Sequence, residues 1–193
     1  MKKIVSLMAI LALTLSSWAQ EKEFANYSVA ITTSPFGGGM NFGYNFNEKT
    51  SLNVAVGGAP TGELVDQDSI EELGDYNFRA QSSWMGMFIN HRPFEQAKWF
   101  VFATGIGIGN IKSDFVTSDG AAYTANYQEN PVGYFGFAAR TQNVKGMQFG
   151  FDVGALYTSG AQVIGPDASR VRAIEEHMNS VLPNVQISIG FGF

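Results

Sequence analysis

The sequence predicts an all-β fold, an eight-stranded antiparallel barrel that crosses a membrane with its strands. The clearest evidence is the last segment, where every second side chain from Val185 to Phe193 is apolar and those between are polar or small. Because side chains of a strand alternate between its two faces, this segment has one apolar face throughout. Closed into a cylinder, such strands place that face in lipid and satisfy their backbone hydrogen bonds internally.

Seven earlier segments show the same alternation and are predicted to be the partners of the last one. They begin near Tyr27, Met40, Leu52, Tyr76, Trp99, Pro131 and Met147. In the segment 76–92 the two faces are less distinct, because Trp84 and Phe88 alternate with methionine and isoleucine. The polar residues of that segment share a face with Trp84 and Phe88, so this face is predicted to point inward.

The connections between these segments alternate in length. Tight turns are predicted near residues 47, 95 and 144, a further turn at 34–38, and long loops at 60–75, 112–127 and 158–182. The last loop has a helical pattern, with Ser169 as the cap and Pro183 as its end. An even strand number with short turns at one side and long loops at the other is typical of bacterial outer-membrane barrels.

The N-terminus is predicted to be an export signal, residues 1–19, followed by a barrel domain, residues 20–193. Lys2 and Lys3 precede a short apolar run, and Ser17 and Ala19 form a small-residue cleavage site. The alternative, a retained anchor helix, is disfavoured because the run is too short to span a bilayer. The absence of cysteine excludes a lipoprotein acylation site, disulfides and thiolate metal sites.

Composition excludes several classes of function. Without residues 1–19 the chain has 10 basic and 17 acidic side chains, a net charge of -7, which argues against nucleic acid as a partner. His177 follows Glu175 and Glu176, but neither it nor His91 has a serine at a spacing that suggests catalysis. Two histidines so far apart also do not suggest a metal site, so no enzyme, cofactor or metal site is predicted. The alternating glycines and isoleucines of 105–110 are not followed by a helix, which excludes a dinucleotide loop. The acidic run 63–75 is predicted to be a solvated surface.

Four stretches of the chain are similar to a known family. They are the turn and strand at 32–43, NHRPF at 90–94, NPVGYFGFA at 130–138 and FDVGALYTSG at 151–160. The sequence resembles the OmpA/OmpX-type superfamily of small outer-membrane barrels, and within it the family of the carbapenem-associated outer-membrane protein, also described as an ornithine-uptake porin. The resemblance implies an eight-stranded barrel and, more weakly, a transport role. The chain departs from the channel members in its shorter loop at 112–127 and its terminal Phe, so no family site residue is transferred.

The candidate functional residues are the polar side chains predicted to face the lumen. They are Asn41, Asn45, Asn53, Ser82, Asn90, Arg92, Arg140, Gln148, Asp152, Gln186 and Ser188. Two interpretations stay open at this point. The first is an ion-pair and amide network that fills the lumen, because an eight-stranded barrel is just wide enough for its own side chains. The second is a constriction with two positive groups and one negative group, and the inward glycines favour some open volume for it.

Three functions therefore compete. The preferred one is a narrow channel for small, charged or amino-acid-like solutes, and the second is a non-conducting structural or surface-interaction barrel. The third is a soluble, lipocalin-like barrel with its aromatic residues turned inward. For a membrane barrel the expected partners are outer-membrane lipid, lipopolysaccharide and the barrel-assembly machinery, with Phe191 and Phe193 as the assembly signal.

Overall fold

A computed structural model of the chain describes residues 23–64 and 70–193, so the predicted export signal lies outside the described residues. The described residues form nine strands, an α-helix and a short 3₁₀ helix, Glu71–Leu73. The strands are β1 Tyr27–Ser34, β2 Gly37–Asn45, β3 Thr50–Leu64, β4 Tyr76–His91, β5 Phe100–Thr117, β6 Ala122–Arg140, β7 Gly146–Tyr157, β8 Gln162–Ile164 and β9 Val181–Gly192. The helix, α1, is Ala168–His177. Within the described ranges no helix is long and apolar enough to cross a bilayer.

Eight of these strands close into an antiparallel barrel. From β1 to β7 each strand pairs with the next, and β9 pairs with both β7 and β1, which closes the ring. The short β8 stands outside the ring and pairs with β6. We call the end that carries α1 the upper end, and the end with the turns at 46–49, 92–99 and 141–145 the lower end. The predicted eight-stranded antiparallel barrel is confirmed.

The outer surface of the ring is a continuous apolar belt. Phe42 and Phe149 are each 54 % exposed, and Phe151 and Phe191 are exposed to a similar degree. A soluble barrel would bury these rings, because water-soluble proteins rarely expose large contiguous apolar patches. The belt is the lipid-facing surface of a transmembrane barrel. The soluble, lipocalin-like interpretation is therefore wrong.

The predicted loop at 112–127 is instead a hairpin of two strands that rises above the belt. Strand β5 continues to Thr117 and β6 begins at Ala122, so only a short turn separates them. Along this extension the polarity of the two faces reverses. Lys112 and Asp114 point outward, whereas Phe115 and Tyr123 point inward and are each 1 % exposed. The pattern of a lipid-facing strand gives way to that of an ordinary globular sheet.

The inner face of this extension is covered by a small apolar core outside the belt. Phe115 and Tyr123 pack there against Ile174 of α1, and against Ile70 and Leu73 of the segment before β4. The helix is therefore held by the extended strands, and it also contacts the segment before β4 that contains Leu73. The helix and the extension together form an upper cap on one side of the barrel.

The boundaries of α1 differ from the prediction. Asp167, not Ser169, caps the helix, and its carboxylate accepts hydrogen bonds from the backbone N–H groups of Ser169 at 2.9 Å and Arg170 at 3.0 Å. The helix ends at His177, whereas Pro183 lies within β9 opposite Ala155. Proline is tolerated there because β1 pairs with β9 only from residue 187 onward, which leaves that edge of Pro183 without a ladder partner.

Candidate functional site in the barrel interior

Within the described residues, two cavities lie one above the other in the barrel interior. The upper cavity has a volume of about 100 Å³ and extends from the partition to the upper cap. The lower cavity, of about 50 Å³, has a mostly polar lining. Each can hold several water molecules, because about 10–15 Å³ of such volume accommodates one. Asn41, Asn53, Asn90 and Arg140 line both cavities, so these four side chains form the partition between them.

The amides of the partition are poorly satisfied by the protein. Asn90 is 2 % exposed, and neither its Oδ1 nor its Nδ2 has a hydrogen-bond partner. The Oδ1 of Asn41 is also buried without a partner, and the Nδ2 of Asn53 makes only a long bond of 3.4 Å to the hydroxyl of Ser51. Buried polar groups are nearly always hydrogen-bonded. These amides therefore suit water or a polar solute in the adjoining cavities.

Arg140 is held in the partition by an ion pair with Asp152. The Arg140 Nε lies 3.1 Å from Asp152 Oδ1 and 3.3 Å from Oδ2, and Nη2 also donates to Oδ1. Asp152 is 2 % exposed, so the pair is buried on the carboxylate side. The stem of Arg140 crosses Gly150, where an added Cβ would lie 3.1 Å from Cγ. Cross-strand geometry between β6 and β7 thus fixes one positive and one negative group on the same wall.

Arg92 lies below the partition, at the floor of the lower cavity. Its Nε donates to the carbonyl of Lys98 at 2.9 Å and its Nη2 to the carbonyl of Thr141 at 2.7 Å. Arg92 is 5 % exposed, and its two hydrogen bonds join the turn after β4 to the turn after β6. Arg92 is therefore separated from the Arg140–Asp152 pair, although it shares the lower cavity with Arg140.

A short N-terminal segment, residues 23–26, completes the floor. Ala25 is fully buried, and its N–H donates to the carbonyl of Asn143 at 3.1 Å. Its own carbonyl accepts from Asn45 Nδ2 at 2.8 Å, and Asn143 Nδ2 donates to the carbonyl of Asn47 at 3.2 Å. These bonds connect the lower turns across the barrel mouth. The sequence gives no periodic pattern by which Ala25 or Asn143 could have been recognised as floor residues.

The other lumen candidates divide between the two cavities. Gln148 and Ser188 line the lower cavity, and Gln148 Nε2 donates to the carbonyl of Val144 at 2.9 Å. Gln186 lines the upper cavity. Ser82 lies near the upper end, where its hydroxyl donates to the carbonyl of Phe36 at 2.7 Å and holds the β1–β2 turn against the inner wall.

Aromatic rings occupy the space beside some of the inward glycines. An added Cβ at Gly57 would lie 2.6 Å from the Trp84 ring, and one at Gly86 would lie 2.6 Å from the Phe88 ring. Phe88 in turn meets the ring of Tyr134 edge to face at 5.4 Å. The expectation of open volume is therefore met only in part, because Trp84 and Phe88 occupy the space beside Gly57 and Gly86, whereas Gly107 and Gly109 line the upper cavity.

The remaining predicted residues lie outside the lumen. Phe191 and Phe193 point outward from the end of the chain, and Phe193 donates its N–H to the carbonyl of Tyr27 at 2.9 Å and stacks on that ring. His91 points outward at the lower end of β4, whereas His177 ends α1 at the upper end. Among the described residues no three His, Asp or Glu side chains converge as metal ligands.

The architecture matches solved structures of small outer-membrane proteins. Acinetobacter baumannii CarO aligns with a TM-score of 0.66 at 15 % identity over 86 % of this chain and 97 % of that one, and A. baumannii CarO2 with a TM-score of 0.61 at 14 % identity over 89 % and 100 %. The fold is that of the small outer-membrane barrels. A major outer membrane protein of Thermus thermophilus aligns with a TM-score of 0.56 at 11 % identity over 86 % and 99 %. The predicted resemblance is confirmed at the level of the fold. No protein-family model and no curated protein sequence matches the chain.

Proposed function

We propose that this barrel stands in the bacterial outer membrane and provides a narrow path for small polar solutes. The apolar belt supports the location, because a lipid bilayer is the solvent that such a surface requires. In this orientation the upper end is external, beside lipopolysaccharide, and the lower end is periplasmic. Insertion by the barrel-assembly machinery, with Phe191 and Phe193 in the recognised strand, belongs to the same proposal.

The observation that carries the proposal is the partition of unpartnered amides between two cavities. A wall that existed only to fill the lumen would satisfy its buried amides internally, since an unmade buried hydrogen bond costs about 1–3 kcal/mol. Asn90 instead lines both cavities, and its side-chain donor and acceptor are buried between them without a protein partner. A solute that passes between the cavities can exchange hydrogen bonds with the wall at little net cost.

The charges of the wall favour solutes that carry a charge or both charges, such as amino acids. Arg140 and Asp152 offer one group of each sign at the partition, and Arg92 offers a second positive group below it. Polar and charged rings in a constriction select solutes by sign and size. Passage also requires the floor to open, and hydrogen bonds between the lower turns hold the floor closed.

The test compares two substitutions on the same strand. Asn90→Leu fills the partition and removes its polar atoms, whereas Asn77→Leu makes the same change on the outward, exposed face of β4 above the belt. We expect purified protein in planar bilayers to show small conductance steps, and liposomes that carry it to swell in amino-acid solutions. Asn90→Leu should reduce both, and Asn77→Leu should leave both unchanged. Equal conductance in the two variants, or none in the unaltered protein, would contradict the proposal.

The second candidate is a non-conducting structural or surface-interaction barrel. It is favoured by the closed floor and by the upper cap. The cap has an apolar core of its own, which supports an external surface above the belt. In this case liposomes would not swell with any solute. Asn90→Leu would then only stabilise the barrel, because a buried unsatisfied amide is replaced by an apolar side chain.

A further inference from the structure

The lower cavity contains a buried positive charge that the protein does not neutralise. Arg92 is 5 % exposed, and its two hydrogen bonds go to the backbone carbonyls of Lys98 and Thr141. Arginine remains charged in proteins, and a buried charge is normally paired with an opposite one. Within the described residues no carboxylate forms an ion pair with Arg92, and the charged side chain that acts on it is Arg140.

The surroundings increase this excess of positive charge. Arg140 lines the same cavity, and its one partner, Asp152, lines the upper cavity and not the lower one. The described lining of the lower cavity contains two arginines, several amides and hydroxyls, and no acidic side chain. Two guanidinium groups against one carboxylate leave a net positive charge in a small space enclosed by protein, where electrostatic interactions are stronger than in bulk water.

Hydrogen-bond donors converge on the same space. Arg92 and Arg140 each use Nε and Nη2 for the bonds described above, so Nη1 of each has no described partner. Asn90 adds an Nδ2 that is buried without a partner, and the hydroxyl of Ser188 lines the cavity. Charged donors bind anions through short, strong hydrogen bonds. The site is thus complementary to a negative ion in both charge and hydrogen bonding.

We propose that the lower cavity binds a small monovalent anion, such as chloride or a short carboxylate, between Arg92 and Arg140. A volume of about 50 Å³ accommodates an ion of this size with few water molecules, and it excludes a bulky anion such as gluconate. Within the proposed path, the lower cavity would therefore be a site for negatively charged solutes. The binding of an anion does not depend on conduction, because binding is measured on the barrel in detergent.

The deciding experiment is crystallography of the unaltered protein in bromide. Anomalous scattering should show a bromide ion in the lower cavity within hydrogen-bond distance of both guanidinium groups. In solution, thermal unfolding in detergent should shift to higher temperature with chloride or formate and then saturate, because an anion that binds only the folded state stabilises it. Sodium gluconate at equal ionic strength should give no saturable shift.

Variants separate the site from general effects of salt. Arg92→Met should weaken chloride about 10- to 100-fold, the range for losing one hydrogen bond to a charged group, whereas Arg92→Lys should retain part of the affinity. Lys112→Gln, which removes an outward cation above the belt, should leave the chloride dependence unchanged. A crystal without a bromide peak in the lower cavity overturns the inference, as does an equal chloride dependence in Arg92→Met. Failure of conductance alone would overturn the proposed channel and leave the anion site standing.

Discussion

Asp152→Asn is the substitution whose effect follows most directly from the structure. It preserves the shape of a side chain that is 2 % exposed and removes the charge that neutralises Arg140. Breaking a buried ion pair from one side costs about 3–5 kcal/mol, because the remaining charge stays buried. The Arg140 side chain retains 19 % exposure and borders both cavities, so water offsets part of this cost. We therefore expect a loss of about 3 kcal/mol, a large share of the usual 5–15 kcal/mol of stability.

The assay is urea unfolding of the barrel in lipid vesicles, followed by tryptophan fluorescence, which comes from Trp84 in the lumen and from the exposed Trp99. The double variant Arg140→Met with Asp152→Leu removes both charges, and it should recover most of the loss because no buried charge remains. Asp114→Asn is the matched control, since Asp114 pairs with Lys112 on the outward surface and should cost less than about 1 kcal/mol. A loss below about 1 kcal/mol for Asp152→Asn, or a double variant less stable than the single one, would refute the reasoning.

Three further predictions concern the wall, the cap and the chain end. Gly57→Ala should lower the free energy of unfolding by about 1–3 kcal/mol, because the added Cβ would lie 2.6 Å from both an indole ring and a strand carbonyl. The hydrogen bonds of Asp119 with Thr117 and with Arg170 of α1 lower the pKa of its carboxyl from 3.8 to about 2. Because the pKa is lower in the folded state, the contact should be complete above about pH 4 and lost as the pH falls towards 2, measured by protease cleavage of α1. Deletion of Phe193 should reduce the amount of folded barrel in outer-membrane fractions, measured by heat-dependent gel mobility.

Each of these predictions has a control in the same chain. Gly133→Ala should change stability by less than about 0.5 kcal/mol, because the nearest atom to its added Cβ lies 3.9 Å away. Asp119→Asn should reduce the pH dependence of α1 cleavage between about pH 2 and 4, and the remainder comes from the Asp167 cap, whose pKa is lowered by its hydrogen bonds with Ser169 and Arg170. Phe149→Ala removes another exposed outward ring without changing the chain end, and it should leave membrane levels closer to normal. If Phe149→Ala and the Phe193 deletion have equal effects, Phe193 acts only as a lipid-facing residue.

Alternation along the strands was sufficient to predict which side chains face lipid. Phe42 and Phe149 point outward and Asn90 and Asp152 inward, because a period of two leaves only two choices per strand. The same rule failed above the belt. At Lys112 and Phe115 the apolar face changes sides, so the pattern there does not predict a lipid-facing strand and indicates a loop instead. The missing information was the position of the membrane boundary along β5.

The parts of the candidate site that sequence could not predict are contacts between distant segments. The carbonyl partners of Arg92 lie in two turns, and they meet only because the ring of eight strands closes. Ala25 enters the lower mouth because the turn at Asn143 receives it, and neither residue type indicates such a role. The rings beside Gly57 were unpredictable for a related reason, since glycine in a strand indicates close approach but not what approaches.

The change of polarity along β5 also determines how deep the protein is immersed. Outward side chains pass from Ile106 and Ile108 to Lys112 and Asp114 over a few residues. A vertical shift by one residue pair, about 7 Å of strand, would either submerge the lysine in hydrocarbon or lift an isoleucine into water. A lysine facing lipid costs about 2–4 kcal/mol at the bilayer centre and less toward the surface. The change of polarity along β5 thus fixes the level of the membrane surface on the barrel, and the cap above that level stays in the aqueous phase.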